Sequence, residues 1–488
     1  MSLATSTAQL KEAAAPAKSP PWLFARASEA MLSQVLRRTV RFLFLFLCAR
    51  NLGPEVFGSY ALLLAMLETL SLITGEGLTD YVAREVSKSP GVARSLFNRV
   101  SILRCLLAIP LAPMAIAILH LLHYPAEVER NAAWLFLALL ARGPLASAQG
   151  LFRAVHRMRL LVWLEAVQGA TLLAIGWYFV AHEPSLRAVI WAELGSAFSG
   201  ALAAILMARN VWSLAGDWSL PWSTIWKATA TFNIFPLITN IYDRIDIVML
   251  SVIAGNAAAG FYALPYRVLA TLQIIPFGLM AAALPILAGR APSSNDKQMC
   301  LRMTTLLGVL SMFPALILTL LAGPLVFLVL GESYAASIGI LRVLVWAAIP
   351  MFLNYGLNTF LLARDREQVF LRTNSICAAA NVTLNLMFIP RFSFYAAAAV
   401  TIVTECLLLA QNLVIIRKKF DFVALPNRLW TSMLILAAVV VGAQAANGHV
   451  SPLVAAAVAC CVFAFWLYFN GSLKGILETA GPSKMSAQ

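Results

Sequence analysis

Charge is scarce in this chain. Only 12% of its 488 residues are Asp, Glu, Lys or Arg, while 61% are apolar; a soluble domain averages roughly a quarter charged. A soluble core could not use that much apolar surface, but a lipid bilayer can bury all of it. Long polar stretches are missing too, apart from a possible amphipathic piece near 209–223, so no separate extramembrane domain is expected. The longest loop on one side, 120–130, carries Glu127 and Glu129 but no paired partner. A membrane glycosyltransferase or ligase would need a larger loop with acid and base groups, so a transporter is expected rather than an enzyme. All seven cysteines fall in apolar runs with no CxxC or Cys/His metal spacing, and His120 and His123 stand alone in a loop. No disulfide framework, metal or cofactor is implied. The first 20 residues lack a basic start, compact apolar core and small-residue cleavage site, and read as a cytoplasmic tail.

What the chain does have is hydrophobic runs, about 18–28 residues each, long enough to cross a membrane as helices. Fourteen are predicted: spans 1–6 at 29–50, 56–78, 96–119, 131–152, 160–181 and 186–208; spans 7–12 at 226–253, 258–288, 303–330, 335–363, 368–389 and 394–416; spans 13–14 at 429–446 and 451–470. The basic residues test that count, because cytoplasmic loops collect Lys and Arg. Of 36 Lys and Arg, 26 fall in alternate gaps and the two tails, and four (Arg50, Arg130, Arg187, Arg391) fall in the other gaps. Both ends are therefore expected in the cytoplasm. The same alternation explains the net charge of +14, so nucleic acid is not an expected partner.

An internal repeat divides the spans. At an offset of 202, Gly53, Gly58, Tyr60, Ala61 and Leu62 match Gly255, Gly260, Tyr262, Ala263 and Leu264; at 209, Ala154 and Arg157 match Ala363 and Arg366. An offset of six spans keeps both halves in one orientation, so the repeat is parallel. The predicted organisation is all-α: a tail (1–28), an N-terminal lobe (29–208), a linker (209–225), a C-terminal lobe (226–418), two further helices (429–470) and a second tail (471–488). In the matched turn, Gly53 can end a helix in the left-handed conformation, Pro54 prevents its continuation, and Gly58 lets the next helix begin tightly.

The run from Arg50 to Lys88, RNLGPEVFGSYALLLAMLETLSLITGEGLTDYVAREVSK, resembles the first hairpin of polysaccharide and O-antigen flippases. NIYDRIDIVMLSVIAGNAAAGFYALPYR (240–267) resembles their second lobe, as do GESYAASIGILRVL, ARDREQ and NVTLNLMFIPRF between 330 and 391. The resemblance spans roughly residues 28–418 and implies the multidrug/oligosaccharidyl-lipid/polysaccharide exporter superfamily: two lobes around a central cavity that opens alternately to each side. Its sugar-exporting branch moves undecaprenyl-diphosphate-linked glycans across the bacterial inner membrane for O-antigen, capsule or exopolysaccharide synthesis, beside membrane lipids and polysaccharide polymerase or assembly proteins. After Arg391 the sequence departs from the pattern, with SFYAAAAV in place of a glycine-rich start to span 12.

Six arginines lie inside apolar spans: Arg41, Arg104, Arg142, Arg244, Arg267 and Arg342. Each costs about 2.5–3.5 kcal/mol at bilayer depth, so each needs a partner. Arg41 and Arg244 lie nine residues from the ends of their runs, about 13 Å deep at 1.5 Å per residue. A diphosphate would suit them, because guanidinium groups pair with phosphate oxygens in bidentate fashion. Arg41, Arg244, Arg267 and Arg142 are the candidate cavity residues; Arg38 joins them because Arg37, Arg38 and Arg41 form one stripe. Structural pairing is the competing reading, for example Arg41 with Glu68. Asp243, Asp246 and Glu68 could orient these arginines or bind a proton or sodium ion that drives transport. A cation-coupled multidrug exporter of the same superfamily is the alternative function, but its cargo would favour acidic walls.

Overall fold

The computed structural model describes residues 21–75, 77–212, 221–288, 296–364, 367–445 and 450–471. Inside a bilayer, backbone groups find partners only within the chain, so apolar runs of this length become helices. Eleven helices among the described residues are long and apolar enough to cross a membrane. Two of these hold a pair of spans each: Ser28–Lys88 turns at Gly53, and Gln368–Phe420 turns at Ser393. Trp222–Ala254 supplies span 7. The protein is thus an all-α, multi-pass membrane protein of fourteen spans: two six-helix lobes plus two C-terminal helices. Residues 1–20 and 472–488 of the two tails and 213–220 of the linker lie outside the described residues.

The repeat has a conformational basis at its turns. Gly53 (φ 73°) and Gly255 (φ 89°) both occupy the left-handed region that only glycine enters cheaply. Ser393 makes the corresponding turn before span 12 at φ 49° and ψ −132° without being glycine. The departure seen in the sequence after Arg391 is therefore met by a strained serine.

Gly58 does more than start a helix, which corrects the sequence reading. A Cβ on Gly58 would collide with the backbone of Asn256 and Gly260, and one on Gly260 would collide with the backbone of Pro54 and Gly58. Spans 2 and 8 thus cross in backbone contact, and the matched glycines form the seam between the lobes. A hydrogen-bond relay laces it. Asn256 Nδ2 donates to Ser59 Oγ at 2.9 Å, and Ser251 Oγ donates to Asn256 Oδ1 at 2.5 Å. Ser251 has one proton, so Tyr124 must be the donor in its 2.8 Å contact with that hydroxyl. Burial pushes the Tyr124 phenol up, which keeps that proton in place.

Spans 2 and 8 are also both broken below the seam. The first helix ends at Ile73 and resumes at Leu78; the second ends at Leu272 and resumes at Ile274. Spans 13 and 14 pack against span 9, where Leu429, Leu436, Ala456 and Phe463 meet Met312, Leu316 and Leu320. They lie outside the seam.

Candidate functional site: a cationic cavity beside the lobe seam

A cavity of about 720 Å³ lies below the seam, toward the end of the molecule where Arg37, Arg38 and Arg153 stand. All six N-lobe spans reach its wall; among the described residues, the C-lobe contributes through spans 7 and 8, with Arg244, Arg267, Ala270, Thr271 and Gln273. Among the described residues its wall comes mostly from the N-lobe.

Among the described residues, its wall carries eight arginines (Arg37, Arg38, Arg41, Arg104, Arg142, Arg153, Arg244, Arg267) and four carboxylates (Glu68, Asp80, Glu165, Glu193). Among these described groups, arginines outnumber carboxylates by four. All five arginines expected from the sequence are on this wall, and so is Glu68. Helical register explains the N-lobe set: Arg142, Gln149 and Arg153 are spaced i, i+7 and i+11 on span 4, and Arg37, Arg38 and Arg41 share one face of span 1.

The pairing differs from the sequence reading. Arg41 bonds Glu193 on span 6, not Glu68. Tyr60 OH donates to the same Glu193 Oε1 at 2.5 Å, so one buried carboxylate holds both groups. Span 1 packs on span 5, where Gly169 meets Val40 and Gly176 meets Phe44, and Arg41 reaches Glu193 on span 6. Glu68 instead faces the other lobe: its Oε2 is 2.9 Å from Arg244 Nη2, and its Oε1 accepts from Arg267 Nη2 at 3.4 Å. Lower in the cavity, Glu165 Oε1 is 3.9 Å from Arg37 Nε and accepts from Gln149, while Asp80 is 3.2 Å from Arg153.

Arg104 and Glu193 are wall groups that were not among the candidate site residues. Arg104 is 1% exposed and donates to the Gly75 carbonyl at 2.9 Å, satisfying the backbone where span 2 breaks. Glu193 gave no sign of its role, because a lone acid in an apolar span does not reveal which helix it faces. Arg342 is not on the wall.

Asp246 makes its described hydrogen bonds inside the C-lobe rather than with a cavity arginine. It is 2% exposed within the C-lobe, where its carboxylate accepts from Asn385 Nδ2 at 2.7 Å, Tyr262 OH at 3.0 Å and Thr401 Oγ1 at 3.1 Å. Asn385 also donates to Asn381 Oδ1, and its own Oδ1 is buried with no hydrogen-bond partner. The matched tyrosines thus play matched parts: Tyr60 binds Glu193 in one lobe, and Tyr262 binds Asp246 in the other. The side chain of Asp243 lies outside the described residues.

The family described as polysaccharide biosynthesis protein matches residues 26–289, more than half of the chain. No curated protein matches it by sequence. Among solved structures, a lipid II flippase, MurJ, in its inward closed conformation is similar at TM-score 0.70 and 11% identity, covering 91% of this chain and 99% of that one. The inward-facing form of a multidrug resistance MATE family transporter of the MOP superfamily is similar at TM-score 0.67 and 12% identity, covering 80% and 98%. A MOP superfamily transporter from Pyrococcus furiosus, described as having a binding pocket of reverse polarity, is similar at TM-score 0.56 and 11% identity, covering 81% and 95%. At such identities these likenesses show the fold.

Proposed function

The chain belongs to the polysaccharide biosynthesis protein family, and on that premise we propose that it is a flippase for a polyprenyl-diphosphate-linked oligosaccharide, working by alternating access in the bacterial inner membrane. One observation carries the proposal: among the described residues, eight guanidinium groups face four carboxylates on one cavity wall. A site built for organic cations would show the opposite balance. A lipid diphosphate brings about two negative charges and oxygens suited to bidentate guanidinium contacts. Its polyprenyl tail can stay in lipid while the headgroup and sugars cross between the lobes.

Geometry suggests the order of events. With both termini cytoplasmic, Arg37, Arg38 and Arg153 lie at the cytoplasmic mouth and the glycine seam at the periplasmic end. The described conformation is then open inward and sealed outward. The headgroup enters past Arg37 and Arg38 and reaches Arg41, Arg142, Arg244 and Arg267; the lobes part at the seam and close at the mouth. Asp246, a buried carboxylate amid the oxygens of Asn381, Asn385 and Thr401, is the proposed site for a driving proton or sodium ion. It stands apart from the cavity, so ion and cargo would act through lobe position.

The test uses purified protein in proteoliposomes. A glycan on undecaprenyl diphosphate should cross at a protein-dependent rate, and the same glycan on an uncharged polyprenyl ether should not. Equal rates for the two would refute an anionic cargo, and efflux of an organic cation such as ethidium would favour the multidrug alternative.

A further inference from the structure

Of the four described carboxylates on the cavity wall, three hold an arginine of their own lobe: Glu193 holds Arg41, Glu165 faces Arg37, and Asp80 faces Arg153. Glu68 does not. It stands on span 2 of the N-lobe and pairs with Arg244 and Arg267 on spans 7 and 8 of the C-lobe. It is the wall carboxylate whose pairs cross the seam.

Those pairs are charge contacts of poor geometry. Glu68 Oε2 is 2.9 Å from Arg244 Nη2 yet buried with no hydrogen-bond partner, and the Arg267 bond is long at 3.4 Å. One carboxylate also lies within electrostatic reach of four guanidinium groups, those of Arg244, Arg267, Arg41 and Arg142. A buried ion pair contributes well only when its geometry is good and its remaining lone pairs are satisfied. A diphosphate offers more oxygens and more charge at the same place, so it can outbid Glu68 for both arginines.

We infer that Glu68 is a built-in stand-in for the cargo's phosphate: it ties the lobes together through Arg244 and Arg267 while the cavity is empty, and a diphosphate that takes those arginines unties them. The seam then keeps the Gly58–Gly260 contact and the Asn256–Ser59 and Tyr124–Ser251 hydrogen bonds. Cargo binding and lobe separation are thereby coupled, and the coupling is reciprocal. An empty carrier stays tied, which limits idle cycling. The inference rests on the anionic-cargo reading above, and the experiment separates the two.

The probe is geranyl diphosphate, a short soluble polyprenyl diphosphate, titrated calorimetrically into the full chain in nanodiscs. Glu68→Gln removes the competing charge and should bind it about tenfold tighter than wild type, a shift of about 1.4 kcal/mol. Glu68→Asp, which keeps the charge, should restore weaker binding. Amide exchange in 54–62 should quicken when the probe is added to wild type, and should already be fast in Glu68→Gln without it. Unchanged or weaker binding by Glu68→Gln, with wild type binding and Arg244→Ala not, overturns this inference alone. Binding by neither wild type nor variants, or equal binding by wild type and Arg244→Ala, overturns the cationic-cavity reading and this inference with it. Should Glu68→Gln fail to fold, Glu68→Gln with Arg267→Gln keeps the local charge balance; no tightening relative to Arg267→Gln alone is then the overturning result.

Discussion

Arg41 sits in the middle of span 1 because Glu193 and Tyr60 meet it there. Glu193→Gln would leave the guanidinium without its counter-charge. The Arg41 side chain is 30% exposed to the cavity, so the cost should be about 2 kcal/mol, below the 3–5 kcal/mol of a fully buried pair. A thermal melt in detergent should show the lower midpoint; an unshifted midpoint would mean that Arg41 finds compensation elsewhere. That arginines stood in the cavity was legible in the sequence, since a charge inside an apolar run demands an explanation. Which acid each one meets was not. Arg41 chose Glu193 over Glu68 because helix packing, a tertiary property, decides which faces oppose. Asp246 shows the same limit: its neighbours Asn381, Asn385 and Thr401 lie 135 or more residues away along the chain.

Helices and their turns were the readable layer. Apolar runs and alternating basic loops located the spans, and the offset of 202 located matched turns. The seam was not readable, because a glycine that starts a helix and one that admits another backbone look alike in sequence. Gly58→Val should therefore cost about 1–3 kcal/mol by overpacking and abolish flipping, and Gly260→Val should do the same by symmetry. Melting midpoints and flip rates check this; a normally active Gly58→Val would contradict the seam. Ser393 invites the opposite change. At φ 49° and ψ −132° a Cβ is strained, so Ser393→Gly should stabilise the protein by about 1 kcal/mol, read as a higher midpoint without loss of transport. A lower midpoint would show that the Ser393 side chain contributes more than its strain costs.

At the scale of the whole molecule, the two lobes are built alike but used differently. Among the described residues, the N-lobe lines most of the cavity, while the C-lobe buries Asp246 apart from it. If Asp246 carries the driving ion, collapsing the proton and sodium gradients should slow wild-type flipping, whereas Asp246→Asn should be slow and indifferent to either gradient. An Asp246→Asn protein that still responds fully would place coupling elsewhere. The central claim is that the arginines at mid-depth receive a diphosphate-linked cargo. The most direct measurement is the flipping of an undecaprenyl-diphosphate glycan by Arg41→Ala and Arg244→Ala in proteoliposomes holding equal amounts of folded protein. The account predicts that each variant loses flipping; if both flip at the wild-type rate, the cavity arginines do not receive the cargo.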